Sequence, residues 1–255
     1  MPQDNQKIAL VTGSSRGLGK NTTLTLARKG VDVIVTYHSD EAKANAVVSD
    51  IKEMGREAVA LQLDSSNTQM FEDFVGQVKQ SLQHTWQTDR FDFLVNNAGF
   101  GFNQPFTEIT EDGFDRLFNI HVKGVFFLTQ KLLPLIKDGG HIVNLSSGLA
   151  RFSLPGYSAY ASAKGAIEVL TRYLAKELGN RQIRVNVVAP GAIETDFGGG
   201  VVRDNKELNN FIASQTALGR VGVPDDIGGA IASLLSEDNR WINGQRIEVS
   251  GGMFL

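Results

Sequence analysis

Three residues near the middle of the chain have side chains that could move a proton. Tyr160 and Lys164 lie four residues apart, and Ser147 precedes Tyr160 by thirteen residues. Residues four apart share one face of a helix. An ammonium beside a phenol favours the phenolate, so we expect Lys164 to lower the pKa of Tyr160 from its usual ~10 toward neutrality. The pattern predicts Tyr160 as a general acid and base beside Ser147.

A glycine-rich run follows the first apolar segment of the chain. The segment Ile8–Val11 leads into Thr12-Gly13-Ser14-Ser15-Arg16-Gly17-Leu18-Gly19, and a helical pattern follows. Glycines at this spacing let the chain turn tightly and bring a helix N-terminus close to a pyrophosphate, although a plain turn is the alternative. The cofactor-binding residues predicted here are Gly13, Ser15, Arg16, Gly17, Leu18 and Gly19.

The end of the second apolar segment bears on which nicotinamide cofactor fits. NAD enzymes usually place an acid there for the ribose 2′-hydroxyl. Here Tyr37, His38 and Ser39 occupy that position, and the first acid is Asp40. The guanidinium of Arg16 could bind a 2′-phosphate. We therefore predict NADP(H), with NAD(H) as the alternative if Asp40 reaches the ribose and Arg16 is solvated.

Two further segments fit a cofactor groove. Asp64 and Ser65 close the third apolar run, where a carboxylate could accept from an adenine amino group. Asn97, Ala98 and Gly99 close the fourth, at the strand ends where ligands bind in parallel sheets. Asn97 could equally be a structural turn residue, or serve both purposes.

Short apolar runs alternate with helical patterns along the whole chain. This alternation predicts βαβ units and a parallel sheet buried on both faces. We expect an α/β fold, a single doubly wound Rossmann-type domain over 1–255 with seven parallel strands and helices on both faces. The runs are Ile8–Val11, Val31–Val35, Ala58–Leu63, Phe91–Val95, His141–Leu145, Ile183–Val188 and Arg246–Val249.

Composition excludes several functional classes. The chain contains no cysteine, so disulfides and thiolate chemistry are excluded, and we predict no metal site. A net charge of −3 gives no electrostatic case for nucleic acid or an anionic membrane. The polar first residues lack a signal-peptide pattern, and no apolar run approaches the ~20 residues of a membrane span. We expect a cytoplasmic protein.

The motifs together resemble the short-chain dehydrogenase/reductase family over essentially the whole chain. The matching pieces are the loop TGSSRGLG, NNAG, NLSS, YASAK and the later PGAIET. Within the family the chain is most similar to bacterial 3-oxoacyl-carrier-protein reductases and their relatives. The resemblance implies hydride transfer from NADPH to a ketone, Tyr160 as proton donor, Ser147 on the carbonyl oxygen and Lys164 on the nicotinamide ribose. It also implies a homotetramer and four residues at the nicotinamide end, Pro190, Gly191, Ile193 and Thr195.

One position departs from the family pattern. The family usually carries an asparagine in an Asn-x-x-Gly motif, which helps to bind a proton-relaying water. This sequence has His121 there, three residues before Gly124. His121 could do the work of the asparagine, could add a group that titrates near pH 6–7, or could be inert packing. Asn119 is about 200° away around a regular helix and could not replace it without a distortion.

The sequence gives little information about the identity of the substrate. We expect a small or medium carbonyl compound or a 3-oxoacyl thioester, reversibly reduced to a secondary alcohol, with a substrate loop at about 192–215. The mostly apolar walls are expected in 101–103, 148–157 and 192–211. Gly198–Gly200 could be a lid hinge or a solvated turn, and Arg151 and Arg203 are expected to be solvated. The alternatives are an NAD-dependent alcohol or sugar dehydrogenase and a non-catalytic nucleotide sensor.

Overall fold

Seven strands form a sheet in which every neighbouring pair is parallel. The computed structural model describes residues 6–255, so the first five residues of the expected domain lie outside the described residues. The strands are β1 (Ile8–Val11), β2 (Asp32–Tyr37), β3 (Ala58–Gln62), β4 (Phe91–Asn96), β5 (Ile136–Leu145), β6 (Arg184–Pro190) and β7 (Arg246–Val249).

Helices cover both faces of this sheet. Helices α1, α2 and α9 pack on one face, α3, α5 and α6 pack on the other, and α4 packs against α6. The helices are α1 (Gly17–Arg28), α2 (Glu41–Glu53), α3 (Phe71–Trp86), α4 (Glu111–Phe118), α5 (Val125–Leu132), α6 (Ser158–Glu177), α7 (Val201–Asp204), α8 (Lys206–Ser214) and α9 (Pro224–Leu234).

The strand order places the carboxyl ends of β1 and β4 side by side. The order is β3-β2-β1-β4-β5-β6-β7, so the chain leaves β1 in one direction and returns to its other side at β4. Ligands bind at such a reversal in doubly wound sheets. The expected fold class is confirmed: one doubly wound domain with seven parallel strands and helices on both faces.

The predicted strands differ from the observed ones mainly at β5. This strand begins at Ile136 rather than His141, and its register against β4 shifts between Phe91 and Phe93. The intervening residues 137–140 are polar or glycine, which hides the strand from a search for apolar runs.

The polar segment 81–90, to which the sequence assigns no function, closes the back of the sheet. Helix α3 continues to Trp86, whose indole Nε1 donates to the buried Asp32 carboxylate at 2.8 Å. This contact fixes the end of α3 against the start of β2. Over residues 6–255, no helix combines the length and apolar character that crossing a membrane requires.

Candidate active site

A cleft of about 870 Å³ opens along the carboxyl ends of the strands. It runs from Arg16, in the glycine loop, to Phe197, in the connection after β6. A volume of this size is ample for a dinucleotide-binding or drug-sized ligand site. Eighteen of the predicted cofactor residues line it: Gly13, Ser15, Arg16, Gly17, Leu18, His38, Ser39, Asp64, Ser65, Asn97, Ala98, Gly99, Tyr160, Lys164, Pro190, Gly191, Ile193 and Thr195.

Two predicted cofactor residues lie behind the cleft instead of lining it. Gly19 packs under the loop, where an added Cβ would overlap the carbonyl oxygen of Gly13 and the side chain of Asn97. Tyr37 packs against the apolar core on the α2 side. Burial and the nearby Glu41 carboxylate both raise the pKa of its phenol. Gly19 therefore allows the loop to close tightly, while Tyr37 supports the end of β2.

The glycine loop presents unpaired backbone amides to the cleft. The residue before α1, Arg16, makes no side-chain hydrogen bond to the first turn, so the opening N–H groups of the helix stay available. The loop is held from behind, because Gly13 N donates to the Thr36 hydroxyl at 3.0 Å. Uncapped amides at a helix N-terminus attract an anionic group. The residues present therefore fit the pyrophosphate of a dinucleotide.

A second cation lies near Arg16 at this end of the cleft. Lys43, in the first turn of α2, also lines the cleft, and its ammonium lies 2.9 Å from the Asp40 carboxylate. Asp40 also caps α2 by accepting from Lys43 N at 3.0 Å. These hydrogen bonds, helped by the charge of Arg16, lower the pKa of Asp40. The Asp40 carboxylate is thus paired with Lys43. Lys43 was not among the residues predicted from the sequence, although it follows Asp40 by three residues.

The centre of the cleft is braced by Asn97. Its Nδ2 donates to the carbonyl oxygens of Thr12 at 2.8 Å and Gly13 at 3.1 Å, which ties β4 to the glycine loop. Asp64 accepts from Ser66 N at 2.9 Å, and its other oxygen lies 3.8 Å from His38 Nε2. Asn97 therefore joins strands and lines the cleft at once.

Ser147, Tyr160 and Lys164 converge on one wall of the cleft. Helix α6 carries Tyr160 and Lys164 on the same face, as the spacing predicts, and both side chains are buried. The Lys164 ammonium nitrogen lies 5.6 Å from the Tyr160 ring centre and donates to the Leu145 carbonyl at 2.8 Å. The Ser147 hydroxyl is close enough to the Tyr160 hydroxyl to lower the pKa of that phenol. One phenol, one hydroxyl and one amine thus lie together on one wall of the cleft.

The pKa of Tyr160 does not move in the expected direction. Burial raises the pKa of Tyr160, and the hydrogen bond from Ser147 only partly offsets that effect. Burial also lowers the pKa of Lys164 to about 7. The expectation that Lys164 holds the pKa of Tyr160 near neutrality is therefore wrong for this structure, because desolvation outweighs the influence of a half-neutral amine.

His121 lies beside Tyr160, in the position predicted for the asparagine. It is 1% exposed, and its ring meets the Tyr160 ring edge-on with the centres 5.4 Å apart. Its Nε2 lies 3.0 Å from the carbonyl oxygen and 3.2 Å from the amide nitrogen of Phe100. Its Nδ1 has no hydrogen-bond partner within residues 6–255. A neutral imidazole nitrogen either donates or accepts, so Nε2 satisfies one of these two backbone groups at a time.

The ring of His121 stays neutral. Burial and then the nearby Lys164 charge lower the pKa of His121 well below its ordinary value. The idea that His121 titrates near pH 6–7 is therefore wrong, since the closed environment disfavours the imidazolium. The distortion that Asn119 would need is nonetheless present, because Asn119–Gly124 forms a π-helical turn between α4 and α5. Such turns often occur at functional sites.

The far end of the cleft is apolar and largely aromatic. Part of this lining was expected from the sequence, but Arg116, Ile120, Met253 and Phe254 were not. Its aromatic members are Phe100, Phe102, Phe152, Tyr157, Phe197, Phe211 and Phe254. The C-terminal residues were missed because they reach the cleft only through the fold.

The connection 192–215 borders this end and contains α7 and α8. Gly198–Gly200 all have positive φ, which permits the sharp change of direction before α7. Arg203 pairs with Asp196 at 2.6 Å and with Asp204 at 2.8 Å, and Arg151 pairs with Glu248 at 2.7 Å. Both arginines are exposed, as expected, but neither is isolated, because each one pairs with at least one carboxylate.

Comparison with known proteins places these features in a family. A family model described as enoyl-(acyl carrier protein) reductase matches residues 13–254. A hydroxynaphthalene reductase-like protein, Arp2 of Metarhizium brunneum, is 36% identical over 257 residues, covering 96% of this chain and 94% of the relative. Tetrahydroxynaphthalene reductase PfmaG of Pestalotiopsis fici is 34% identical, with coverages of 96% and 91%.

Solved structures agree with these relatives. LugOII, a promiscuous reductase that catalyses keto-reduction at C1 during lugdunomycin biosynthesis, superposes with a TM-score of 0.92, 36% identity and 98% coverage of both chains. The angucycline C-6 ketoreductase LanV, solved with bound NADP, gives a TM-score of 0.92 at 34% identity, covering 97% of this chain and 95% of that one. With the glycine loop, the α6 motif and the sheet order, these matches show that the chain belongs to the short-chain dehydrogenase/reductase family of oxidoreductases.

Proposed function

We propose that this oxidoreductase uses NADP(H) to reduce a ketone reversibly to a secondary alcohol, with Tyr160 as the general acid and base. The observation that carries the proposal is the meeting of Tyr160, Ser147 and Lys164 on the wall of the cleft that begins at the glycine loop. Relatives named as ketoreductases and the NADP-bound structure of LanV support it.

The chemistry of the chain's own residues follows from their surroundings. A bound NADPH would supply the hydride that the carbonyl carbon accepts. Tyr160, whose raised pKa keeps it protonated at neutral pH, donates its proton to the carbonyl oxygen as negative charge develops there. Ser147 hydrogen-bonds the same oxygen and stabilises that charge. Lys164 lies one helical turn away, and its protonated amine stabilises the phenolate that proton transfer leaves on Tyr160.

Arg16 and Lys43 are the residues suited to the 2′-phosphate of NADP(H). Both line the same end of the cleft, and the acid there, Asp40, is held by Lys43. A phosphate near two cations gains charge-assisted hydrogen bonds, whereas the 2′-hydroxyl of NAD(H) finds no free carboxylate at Asp40.

His121 takes the place of the missing asparagine through its hydrogen-bonding nitrogens. Its Nε2 holds the backbone of Phe100, which follows the cofactor-lining segment Asn97–Gly99, and its ring packs against Tyr160. Its unpartnered Nδ1, buried near Lys164, offers a hydrogen-bonding site for a water in the proton relay. Because His121 stays neutral, it acts through hydrogen bonds rather than through its charge.

The substrate we favour is a ketone fused to an aromatic ring system. The far end of the cleft, which includes the proposed substrate loop 192–215, is lined by seven aromatic side chains. Flat aromatic ligands pack well against such rings. Relatives named for hydroxynaphthalene and angucycline reduction support the same class.

The test is a panel of ketones with NADPH, followed by the loss of its absorbance. Tyr160→Phe, which keeps the ring but removes the proton, should lower kcat at least ~10³-fold while leaving the Kd for NADPH within a few-fold. Full turnover by Tyr160→Phe would exclude Tyr160 as the acid.

Cofactor choice is tested by titrating the protein's fluorescence with NADPH and NADH. The wild type should bind NADPH at least ~10-fold more tightly. Lys43→Ala should weaken NADPH and leave NADH unchanged, and Lys52→Ala, at the other end of α2, is the matched control. Equal affinity for the two cofactors in the wild type would contradict the NADP(H) proposal.

We also propose a cytoplasmic homotetramer. Its support is a set of exposed apolar side chains on α4 to α6, where family assemblies are expected to form: Phe114, Phe126, Phe127, Val169 and Tyr173. Exposed apolar patches of this kind are buried in the symmetric contacts of homo-oligomers.

A further inference from the structure

Arg151 connects the turn after Ser147 to the C-terminal end of the chain. Its guanidinium donates two hydrogen bonds of 2.7 Å to the carboxylate of Glu248 in β7, one from Nε to Oε2 and one from Nη2 to Oε1. The same group donates to the carbonyl oxygens of Met253 at 2.8 Å and Phe254 at 3.3 Å. One side chain thus holds four acceptor atoms that lie about a hundred residues later in the sequence.

The C-terminal segment reached by Arg151 is folded back against the connection after α8. Phe254 N donates to the Gln215 carbonyl at 2.9 Å, and Leu218 N donates to the Gly251 carbonyl at 3.1 Å. Phe254 adopts φ of 52°, a left-handed conformation that a phenylalanine holds only when its surroundings impose it. The bonds to Phe254 N and to its carbonyl oxygen are the constraints that impose it.

The side chains of this segment form the far wall of the cleft. Met253 is 4% exposed and belongs to a small apolar cluster with Ile212 of α8, and Phe254 packs against that cluster. The Phe254 ring also meets the Phe152 ring with the centres 4.7 Å apart. All four side chains line the cleft. The position of this wall therefore depends on the C-terminal segment, in which Arg151 binds the carbonyl oxygens of Met253 and Phe254.

Glu248 is firmly charged and shared between two arginines. Burial disfavours its carboxylate, but hydrogen bonds from Arg151, Arg246 and Ser250 outweigh burial and lower the pKa of Glu248 to about 2. Arg246 in turn lies 3.3 Å from the Ser147 carbonyl oxygen and 2.7 Å from Glu168 of α6. The C-terminal wall and the Ser147 turn are thus fixed to one carboxylate.

We propose that Arg151 is a positioning residue that sets how large a ketone the cleft accepts, because it holds Met253 and Phe254 in place as the far wall. The proposal rests on the proposed ketone reduction for its substrate. Arg151 acts through the C-terminal segment and does not take part in the proton transfer. A small ketone near Tyr160 does not need the far wall, whereas a three-ring ketone must pack against it.

The experiment compares Arg151→Ala with Arg181→Ala. Arg181 is a matched control, because it binds one carboxylate, Asp138, at 2.7 Å and the carbonyls of Leu133 and Ile136 at 3.0 and 2.6 Å, at the opposite end of the strands. The substrates are cyclohexanone, β-tetralone and a tetrahydrophenanthrenone with saturating NADPH. Amide hydrogen exchange of 212–218 and 251–255 is measured on the same proteins.

The expected result is a selective effect on the largest ketone. Arg151→Ala should raise KM for the three-ring ketone about tenfold, with KM for cyclohexanone, KM for NADPH and kcat within about twofold. Amide exchange in 212–218 and 251–255 should be faster in Arg151→Ala than in the wild type. Arg181→Ala should change neither the exchange rates nor KM for the three-ring ketone. Arg151→Lys, which keeps one bond to Glu248, should fall between. In a Phe254→Ala background, Arg151→Ala should add little.

Three outcomes overturn the proposal: unchanged exchange in 251–255, an equal rise of KM for all three ketones, or fully additive effects of Arg151→Ala and Phe254→Ala. If Arg151→Ala does not fold, Arg151→Lys decides by the same measurements. A wild-type protein that reduces no ketone contradicts the proposed function instead, and the exchange comparison still decides whether Arg151 holds the wall.

Discussion

Burial sets the proton chemistry at the residue scale. The ordinary pKa values of a phenol and an ammonium differ little, yet burial raises the pKa of Tyr160 and lowers that of Lys164 to about 7. In the proposed mechanism, the protonated form of Tyr160 is the one that donates a proton to the ketone oxygen. Lys164 is then the one member of the trio that titrates near pH 7.

Lys164 should therefore titrate about three pH units below an ordinary lysine. Its folded pKa is lowered, so the neutral amine prevails above pH 7 and the ammonium below it. Because the ammonium stabilises the phenolate, kcat/KM for ketone reduction should fall as the pH rises through 7. Carbon NMR of lysine-labelled protein measures the midpoint, and Lys164→Met identifies the signal. The prediction of a lowered Lys164 pKa is wrong if every lysine signal titrates above pH 9.5.

His121 should tolerate asparagine better than alanine. Asparagine can accept from Phe100 N and donate to Phe100 O together, so His121→Asn should keep kcat within a few-fold. His121→Ala leaves both groups without this partner and opens a cavity beside Tyr160, so kcat should fall ~10–100-fold. The pH profile should keep its inflection in His121→Asn, because a neutral His121 does not produce it. Wild-type turnover by the alanine variant across the pH range would leave His121 as packing.

At the element scale, the π-helical turn between α4 and α5 brings two distant parts of the cleft together. It carries His121 on one side, and its last residue, Gly124, lies directly on the carbonyl oxygen of Ser65. An added Cβ at Gly124 would overlap that oxygen, so only glycine allows this approach. The turn thereby fixes the segment after β3, a predicted adenine contact, relative to the catalytic wall.

Gly124→Ala should destabilise the protein by about 1–3 kcal/mol and weaken NADPH binding, because the turn or the Ser65 segment must move. Gly165→Ala in α6 is the control, since its added Cβ meets open space, and it should gain up to ~1 kcal/mol from helix propensity. Urea unfolding and NADPH titration measure the two effects. A stable Gly124→Ala protein with unchanged NADPH affinity would show that the close approach does not matter.

Across the whole molecule, the carboxyl ends of the parallel strands bring together the loops that form most of the site. The glycine loop follows β1, Asn97 follows β4, Ser147 follows β5 and Pro190 ends β6. Parallel strands end at the same edge, so residues separated by up to about 180 positions meet in one cleft. The opposite edge carries contacts such as the Arg181 cluster, which stabilise the fold.

The proposed tetramer predicts a solution mass of four times 27.7 kDa. Exposed side chains on α5 and α6, such as Phe126 and Tyr173, should lie in its contacts, so Tyr173→Glu should dissociate it. Size-exclusion chromatography with light scattering gives the mass. Trp241→Glu, at an exposed residue outside α4 to α6, is the control. A monomer at all concentrations would contradict the assembly proposal.

The doubly wound class, most of the strand positions and the motif residues could be predicted from the amino-acid sequence. These signals are local: a strand is an apolar run, the glycine loop spans eight residues, and Tyr160 and Lys164 are four apart on one helix. Local spacing predicts the glycine loop and the shared face of Tyr160 and Lys164, whereas the resemblance to the family implied Pro190, Gly191, Ile193 and Thr195. Residues from both sources line the cleft.

Properties that depend on residues far apart in the sequence became evident only in the folded structure. Desolvation of Tyr160 and Lys164 results from all the elements packed around them, which is why the expected direction of the Tyr160 pKa was wrong. Arg151 forms hydrogen bonds with Glu248 and Phe254, which lie about a hundred residues later in the sequence. Gly124 contacts Ser65, about sixty residues earlier. Residue spacing carries no information about such pairs, because packing alone brings them together.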